Sequence, residues 1–127
     1  MTPLILLAED DDPMRELLRE QLERRGFKVV EVEDGYELKD YLALSRPGGD
    51  VREPDAVVTD LRMPGEDGLE ALAEFGHHER VVLISAFADH ETFDRAHEHG
   101  VNVVLAKPFT IEALMAEIER VLRGGAR

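Results

Sequence analysis

Short apolar runs alternate along the chain with segments in which apolar residues recur at helical spacing. Each run has the length of a β-strand, and its continuous apolar character favours a strand that is buried on both faces, as in a parallel sheet. The second run mixes charged residues with apolar ones, which indicates a more exposed strand. The pattern predicts five strands, over Leu4–Ala8, Phe27–Val32, Ala56–Thr59, Arg80–Ser85 and Val101–Ala106.

Five helices are predicted to follow these strands. Asp12 stands before Pro13 and is predicted to be the N-cap of the first helix, which Gly26 terminates. Thr110 is predicted to cap the last helix. The other three are predicted over Tyr36–Leu44, Leu69–Phe75 and Asp89–His99. Because short connections favour right-handed crossovers between strands, the chain predicts a three-layer, doubly wound α/β fold with a parallel sheet.

Composition and charge exclude several classes of function. The sequence holds 28 Asp and Glu residues against 15 Lys and Arg, which gives a net charge of −13. This balance argues against direct binding to nucleic acid and suits a protein that binds divalent cations or basic partners. The sequence contains no cysteine, which excludes disulfides, thiolate zinc sites and thiol nucleophiles.

The start of the sequence is not expected to act as a signal peptide. Residues Met1–Leu4 lack the basic region of a signal peptide, and the apolar runs are too short to cross a bilayer. We therefore expect a cytoplasmic protein that makes no contact with a membrane. A length of 127 residues suits a single domain over residues 1–127, with residues 124–127 as a tail or the start of a linker.

Chemically active side chains follow four of the predicted strands. Glu9 and Asp10 follow the first strand, Asp60 the third, Ser85 the fourth and Lys107 the fifth. Because the carboxyl ends of parallel strands lie at one edge of a sheet, these side chains are expected to converge. Two carboxylates about 4 Å apart repel each other by roughly 4 kcal/mol at an effective dielectric near 20. Such a cluster takes up protons or binds a divalent cation, and its all-oxygen composition favours Mg²⁺.

This set of groups is typical of phosphoryl transfer to a carboxylate. An ionised Asp60 needs no general base to act as the nucleophile. Lys107 is a compact positive charge suited to phosphate, and Ser85 is a short hydrogen-bond donor, so both are expected to hold phosphoryl oxygens. Catalysis of this kind consists of positioning and electrostatic stabilisation.

Four motifs at strand ends resemble those of the receiver domains of two-component response regulators. They are Ala8-Glu9-Asp10-Asp11, the stretch from Thr59-Asp60 through Met63-Pro64 to Asp67-Gly68, Ser85-Ala86, and Lys107-Pro108-Phe109. The resemblance covers essentially the whole chain and includes the order of the motifs. It implies a flavodoxin-like (βα)5 fold with a five-stranded parallel sheet in the order 2-1-3-4-5. It also implies a cis peptide bond before Pro108.

The resemblance assigns a role to each matching residue. Asp60 becomes the phosphoacceptor and Lys107 the phosphoryl-binding lysine. Ser85 takes the position of the hydroxyl that moves toward the phosphoryl group on activation. A metal ion, Mg²⁺ or Mn²⁺, is assigned to Glu9, Asp10, Asp60 and the backbone carbonyl of Arg62.

The resemblance also implies partners. A sensor histidine kinase or a histidine phosphotransfer protein is expected to donate the phosphoryl group and to dock near Met14 and the Pro108 loop. An unidentified output partner is expected around His90–Gly100 and Val104, and a phosphorylation-dependent dimer stays open. The sequence leaves it equally open whether the chain acts alone or as the N-terminal part of a larger regulator.

Three features depart from the family pattern. Val104 stands three residues before Lys107, where many receivers carry Tyr or Phe. A valine cannot report the movement of the hydroxyl residue as an aromatic ring does. The stretch Ser45–Pro54 is extra length that we expect at the sheet edge opposite the site. The short stretch Gly68–Arg80 predicts an abbreviated third helix.

Two other functions are alternatives to a phosphorylated receiver. A receiver-like binding module that signals without phosphorylation is favoured only by Val104. An aspartyl-phosphate phosphatase is expected to carry a second acid where this chain has Arg62, so we expect no turnover enzyme beyond self-phosphorylation and autodephosphorylation at Asp60. The sequence predicts no metal-binding or phosphohistidine role for the histidines at 77, 78, 90, 97 and 99. Arg95 is predicted to be an ordinary charge on the surface of a helix.

Overall fold

A parallel five-stranded sheet forms the centre of the protein. The computed structural model describes residues 2–73, 75–87 and 89–124, so most of the predicted tail, residues 125–127, lies outside the described residues. The strands are β1 (Leu4–Ala8), β2 (Lys28–Val32), β3 (Ala56–Asp60), β4 (Val81–Ser85) and β5 (Val103–Ala106). They are arranged in the order β2-β1-β3-β4-β5. The predicted α/β fold and strand order are confirmed.

Helices cover both faces of the sheet. They are α1 (Asp12–Arg24), α2 (Gly35–Ser45), α3 (Gly68–Ala71), α4 (His90–Glu98) and α5 (Ile111–Leu122). Buried side chains of α1 and α5 pack on one face of the sheet, and those of α2, α3 and α4 pack on the other. Every residue of β1, β3 and β4 is buried, as expected of central strands between two helical layers. No described helix combines the length and the apolar character needed to cross a membrane.

The first helix is capped one residue earlier than the sequence predicted. The Asp11 side chain accepts a hydrogen bond from the Met14 amide, so Asp11 is the N-cap and the prediction of Asp12 was wrong. Asp12 instead occupies the first helical position and pairs with Arg15 at 2.6 Å. The predicted cap of α5 is confirmed, because the Thr110 hydroxyl accepts from the Ala113 amide. Such caps satisfy backbone amides that lack a partner within the helix.

Three strands begin later than predicted. Arg80 ends a short 3₁₀ turn over His78–Arg80, so β4 begins at Val81 and not at Arg80. The strands β2 and β5 begin later for one shared reason. The Phe27 amide donates to the Leu22 carbonyl at 3.2 Å, and the Val101 amide donates to the Ala96 carbonyl at 2.9 Å. In both places a glycine with positive φ precedes the donor and lets the chain fold back over the end of the helix. These amides close a helix, so the sheet begins at Lys28 and Val103.

The extra stretch after α2 lies at the amino-terminal edge of the sheet. The Asp55 carboxylate accepts a hydrogen bond from the Leu4 amide at 2.8 Å, and the Arg52 guanidinium donates to the Thr2 carbonyl at 2.7 Å. Since Thr2 and Leu4 stand at the start of β1, the expectation that this segment lies away from the carboxyl ends is confirmed.

The third helix is short, as expected, but it ends earlier than predicted. It stops at Ala71. Phe75 lies beyond the helix and is buried in the core that α2, α3 and α4 share. Glu74, within the predicted helical span, lies outside the described residues.

Candidate functional site

Three carboxylates meet at the carboxyl-terminal edge of the sheet. Glu9 and Asp10 follow β1, and Asp60 is the last residue of β3. One oxygen from each lies within 4.8 Å of one oxygen from each of the others. Glu9 and Asp60 are buried, whereas Asp10 is exposed. The cluster is thus partly closed to solvent and open on the Asp10 side.

Lys107 joins the two buried carboxylates. Its Nζ atom lies 2.6 Å from Asp60 Oδ2 and 3.0 Å from Glu9 Oε1. These hydrogen bonds outweigh the cost of burying the ammonium and raise the pKa of Lys107 above its usual value. One lysine nevertheless faces three carboxylates, so the cluster keeps an excess of negative charge.

Burial and charge repulsion act together on Glu9. Its side chain is 1 % exposed. Burial away from water has the largest effect, the nearby charge of Asp60 adds to it, and together they raise the pKa of Glu9 from 4.5 to about 7. Hydrogen bonds from Lys107 and the Asp11 amide act in the opposite direction. Without a cation, this carboxyl therefore holds a proton over part of the neutral range. The acidic, all-oxygen donor set fits a Mg²⁺ ion, which would replace that proton.

The backbone on both sides of Glu9 is held in place. Its amide donates to the Val32 carbonyl at 3.2 Å, which extends the pairing of β1 with β2. Its carbonyl accepts from the Arg15 guanidinium at 2.8 Å. Arg15 also pairs with Asp12, Glu31 and Glu33. The sequence motifs did not predict this positioning contact of Arg15.

The loop after Asp60 folds back over the end of β3. Asp60 Oδ1 accepts from the Arg62 amide at 3.2 Å, and the Gly68 amide donates to the Leu61 carbonyl at 2.8 Å. A Cβ atom on Gly68 would lie 2.6 Å from the Asp60 carbonyl oxygen, so this close approach requires glycine. The assignment of the Arg62 carbonyl to a metal ion stays a prediction.

Ser85 lies beside the cluster without being bonded to it. In the register of β3 with β4, Asp60 pairs with Ile84, so Ser85 is one residue further along the neighbouring strand. Its buried hydroxyl accepts a hydrogen bond from the Phe87 amide at 3.0 Å. Within the described part of the chain, the Ser85 hydroxyl makes no hydrogen bond to Asp60 or Lys107. The Lys107 amide does donate to the Ser85 carbonyl, at 2.8 Å.

With Val104 at its second position, β5 carries no aromatic ring next to β4 and Ser85. It is half-buried, pairs with Leu83 and packs against the core shared by α2, α3 and α4. An aromatic side chain lies instead at the rim, where the Arg62 guanidinium carbon sits 4.6 Å from the centre of the Phe87 ring. Arg62 and Phe87 each stand two residues after a predicted site residue, and sequence reasoning missed this contact.

Arg95 makes a specific contact that the sequence did not predict. Its guanidinium lies 2.6 Å from Asp67 Oδ2, while Asp67 Oδ1 caps α3 through the Glu70 amide. The prediction of an ordinary helix-surface charge was wrong, because Arg95 joins α4 to the loop that follows Asp60. Nothing in the local sequence of α4 identifies a partner 28 positions away.

An apolar groove adjoins the site. It has a volume of about 480 Å³ and lies between α1 and the segment that links β5 to α5. Its main lining residues are Met14, Leu17, Leu18, Pro108, Phe109 and Ile111. Leu17 is about half exposed, and Lys107 also lines the groove. The Lys107–Pro108 peptide bond is cis, as the resemblance implied.

The sequence is similar to known regulatory proteins. Residues 5–119 match the family described as the response regulator receiver domain. PdtaR, a transcriptional regulatory protein of Mycobacterium tuberculosis, is 33 % identical over 118 residues, which cover 91 % of this chain and 54 % of PdtaR. The response regulator MprA of a Mycobacterium species is 34 % identical over 122 residues, covering 94 % of this chain and 50 % of MprA. The chain thus spans about half the length of these relatives.

Solved structures show the same architecture. The non-phosphorylated receiver domain of HemR from Leptospira biflexa is 28 % identical and superposes with a TM-score of 0.80, covering 99 % of this chain and 98 % of that one. The receiver domain of the Francisella response regulator 1452 superposes with a TM-score of 0.81 at 23 % identity, covering 96 % of this chain and 98 % of that one. The second likeness concerns the fold alone.

Proposed function

We propose that this chain, which belongs to the receiver-domain family of response regulators, accepts a phosphoryl group on Asp60 from a phosphohistidine of a partner protein. As a receiver domain it is a signalling module of two-component systems. The observation that supports the chemistry is the bridge from Lys107 to both Asp60 and Glu9, with Asp10 completing the acidic cluster. In this proposal Asp60 is the nucleophile, Lys107 binds the phosphoryl group and the three carboxylates, whose oxygens lie within 4.8 Å of one another, bind the divalent cation.

The transfer requires little covalent chemistry from the protein. A carboxylate oxygen of Asp60 attacks phosphorus, the bond from phosphorus to the imidazole nitrogen breaks, and the electron pair stays on the departing imidazole. Lys107 keeps its positive charge at the site and moves from the Asp60 carboxylate to the phosphoryl oxygens. The Arg62 amide, which donates to Asp60 Oδ1, and the Ser85 hydroxyl supply further donors. A Mg²⁺ ion held by Glu9, Asp10 and Asp60 would neutralise charge on the phosphoryl oxygens.

The apolar groove supplies a docking place for the donor. It runs from Leu17 on α1 to Phe109 and includes Lys107 in its lining, so a donor seated there approaches Asp60 beside the lysine. We propose that its occupant is an apolar helix face of a histidine kinase or phosphotransfer protein. The net charge of −13 also favours a partner with basic residues around that helix.

Output is proposed to pass through the surface of α4, β5 and α5. Because the chain spans only about half the length of PdtaR and MprA, we propose that it corresponds to their receiver unit. Transmission to a separate output partner, and a dimer formed on phosphorylation, are further parts of this proposal. No observation on the site favours a phosphatase, since Arg62 stands where a second acid would be needed.

Incubation with acetyl phosphate, with and without Mg²⁺, followed by intact-mass measurement tests the proposal. We expect one phosphoryl adduct that requires Mg²⁺ and is lost in Asp60→Asn. Asp55→Asn is the matched control, because Asp55 lies at the opposite edge of the sheet, and it should be labelled like the parent protein. An adduct that persists in Asp60→Asn contradicts the assignment of the phosphoacceptor. A folded protein that is not labelled, even by a phosphorylated histidine kinase, supports a binding module that acts without phosphorylation.

A further inference from the structure

We propose that the loop after Asp60 transmits the phosphorylation state of Asp60 to α4 through the Asp67–Arg95 ion pair and the Arg62–Phe87 contact. This inference rests on the proposed function. It addresses the missing ring at Val104, since a receiver without an aromatic residue there needs another connection from the site to its output surface. We call residues 61–67 the acceptor loop.

The acceptor loop begins at the reacting group. The Arg62 amide donates to Asp60 Oδ1, so the first residues of the loop are held by the oxygens that phosphorylation changes. A phosphoryl group brings additional, strongly accepting oxygens to this position. The Arg62 amide is then drawn toward them, and the Arg62 side chain is drawn away from the Phe87 ring.

The middle of the acceptor loop is held against α2. The Gly35 amide donates to the Pro64 carbonyl at 3.2 Å, and the Tyr36 ring lies against Gly65. Lys39 pairs with Glu66 at 3.1 Å. These contacts restrain the loop on its α2 side, so in this proposal a shift at the start of the loop is passed to the contacts with α4.

The acceptor loop contacts both the segment before α4 and the last turn of α4. Phe87 lies shortly before Asp89, the N-cap of α4, and Arg95 lies in the last turn of the helix. The ion pair of Arg95 with Asp67 is only partly exposed, with 38 % and 22 % of the two side chains accessible. Only Thr92 and Ala96 of α4 are buried. A helix with so few buried side chains depends heavily on its polar anchors and opens easily when they weaken.

Hydrogen exchange of the α4 amides, measured by mass spectrometry with acetyl phosphate and Mg²⁺ present, tests the link. In the parent protein we expect exchange in α4 to become about threefold faster on phosphorylation, which matches the loss of one partly exposed ion pair. Arg95→Gln removes the cation, and Asp67→Asn removes the charge while its amide oxygen still caps α3. Both variants should exchange faster before phosphorylation and show less than about half of the further change.

Arg120→Gln is the matched control, because Arg120 pairs with Glu117 within α5 and does not contact the acceptor loop. It should respond like the parent protein, and intact mass should show the same adduct in all variants. If the parent protein is phosphorylated but α4 does not respond, or if the two link variants respond fully, the inference is wrong while the proposed function stands. If the parent protein forms no adduct, the proposed function fails and the inference fails with it.

Discussion

The two edges of the sheet differ in how far their charged side chains are paired with opposite charges. At the carboxyl-terminal edge, Glu9 and Asp60 share the cation Lys107, and Asp10 adds a third carboxylate that pairs with no cation among the described residues. At the amino-terminal edge, the Asp55 carboxylate pairs with Arg52 at 2.9 Å and also accepts from a backbone amide. Charges at one edge are in excess, whereas those at the other are matched.

The excess charge at one edge relates to function, and the paired charge at the other edge relates to stability. A cluster with excess negative charge destabilises the folded protein until a proton or a cation neutralises it, so its presence at the carboxyl-terminal edge points to ligand binding. The matched contacts around Asp55 instead hold the long segment after α2 to the start of β1. Added length is therefore accommodated at the edge opposite the acidic cluster.

The largest expected effect is the pH dependence of the Glu9 contribution to stability, measured in EDTA. The pKa of Glu9 is raised from 4.5 to about 7 in the folded protein. Its contribution to the free energy of unfolding is therefore fully present below about pH 4.5 and is lost as the pH rises through 7. Between pH 5 and 8, chemical denaturation should show the parent protein losing on the order of 2.5 kcal/mol relative to Glu9→Gln.

Glu16→Gln is the control for this measurement, since Glu16 is an exposed carboxylate on α1. The difference between this variant and the parent protein should stay constant over the same range. A constant difference for Glu9→Gln as well would show that the carboxyl-terminal edge is as well matched as the other.

Removal of Lys107 should have the next largest effect. Lys107→Met leaves Glu9 and Asp60 without their shared cation, which should lower the free energy of unfolding at pH 8 in EDTA by about 2 kcal/mol. Protonation of Glu9 at pH 5 should recover part of this loss, and added Mg²⁺ should recover more. Lys28→Met, at the exposed start of β2, should change stability little. A loss in Lys107→Met that is independent of pH and Mg²⁺ would mean that packing, not charge, explains it.

Much of the fold, and the position of the acidic cluster at one edge of the sheet, could be predicted from the sequence. Five apolar runs predicted the strands, and the resemblance to receivers supplied their order. The carboxylates and Lys107 follow those strands directly, so parallel topology alone brings them to one edge. The errors at Phe27 and Val101 arose because apolar residues were assigned to strands although their amides close the preceding helices.

Contacts between side chains distant in sequence could not be predicted in this way. The Asp67–Arg95 pair joins two elements whose separation depends on packing of the whole layer. A charged residue on a short helix usually faces solvent, and the spacing of apolar residues along α4 does not show that Arg95 differs. The Arg62–Phe87 contact was missed because it depends on the conformations of two loops at neighbouring strand ends.

The smallest expected effect belongs to the amino-terminal edge. Asp55→Ala removes the acceptor of the Leu4 amide and the partner of Arg52, and it should lower the free energy of unfolding by about 1.5 kcal/mol. Because Asp55 is remote from the acidic cluster, the loss should be the same with Mg²⁺ or EDTA and at pH 5 or 8, and phosphoryl labelling should be unchanged. Asp50→Ala, an exposed aspartate in the same segment, should lose less than about 0.5 kcal/mol. If the cost of Asp55→Ala instead varied with Mg²⁺, the two edges would be coupled through β1, and the separation of stability from function argued from them would be wrong.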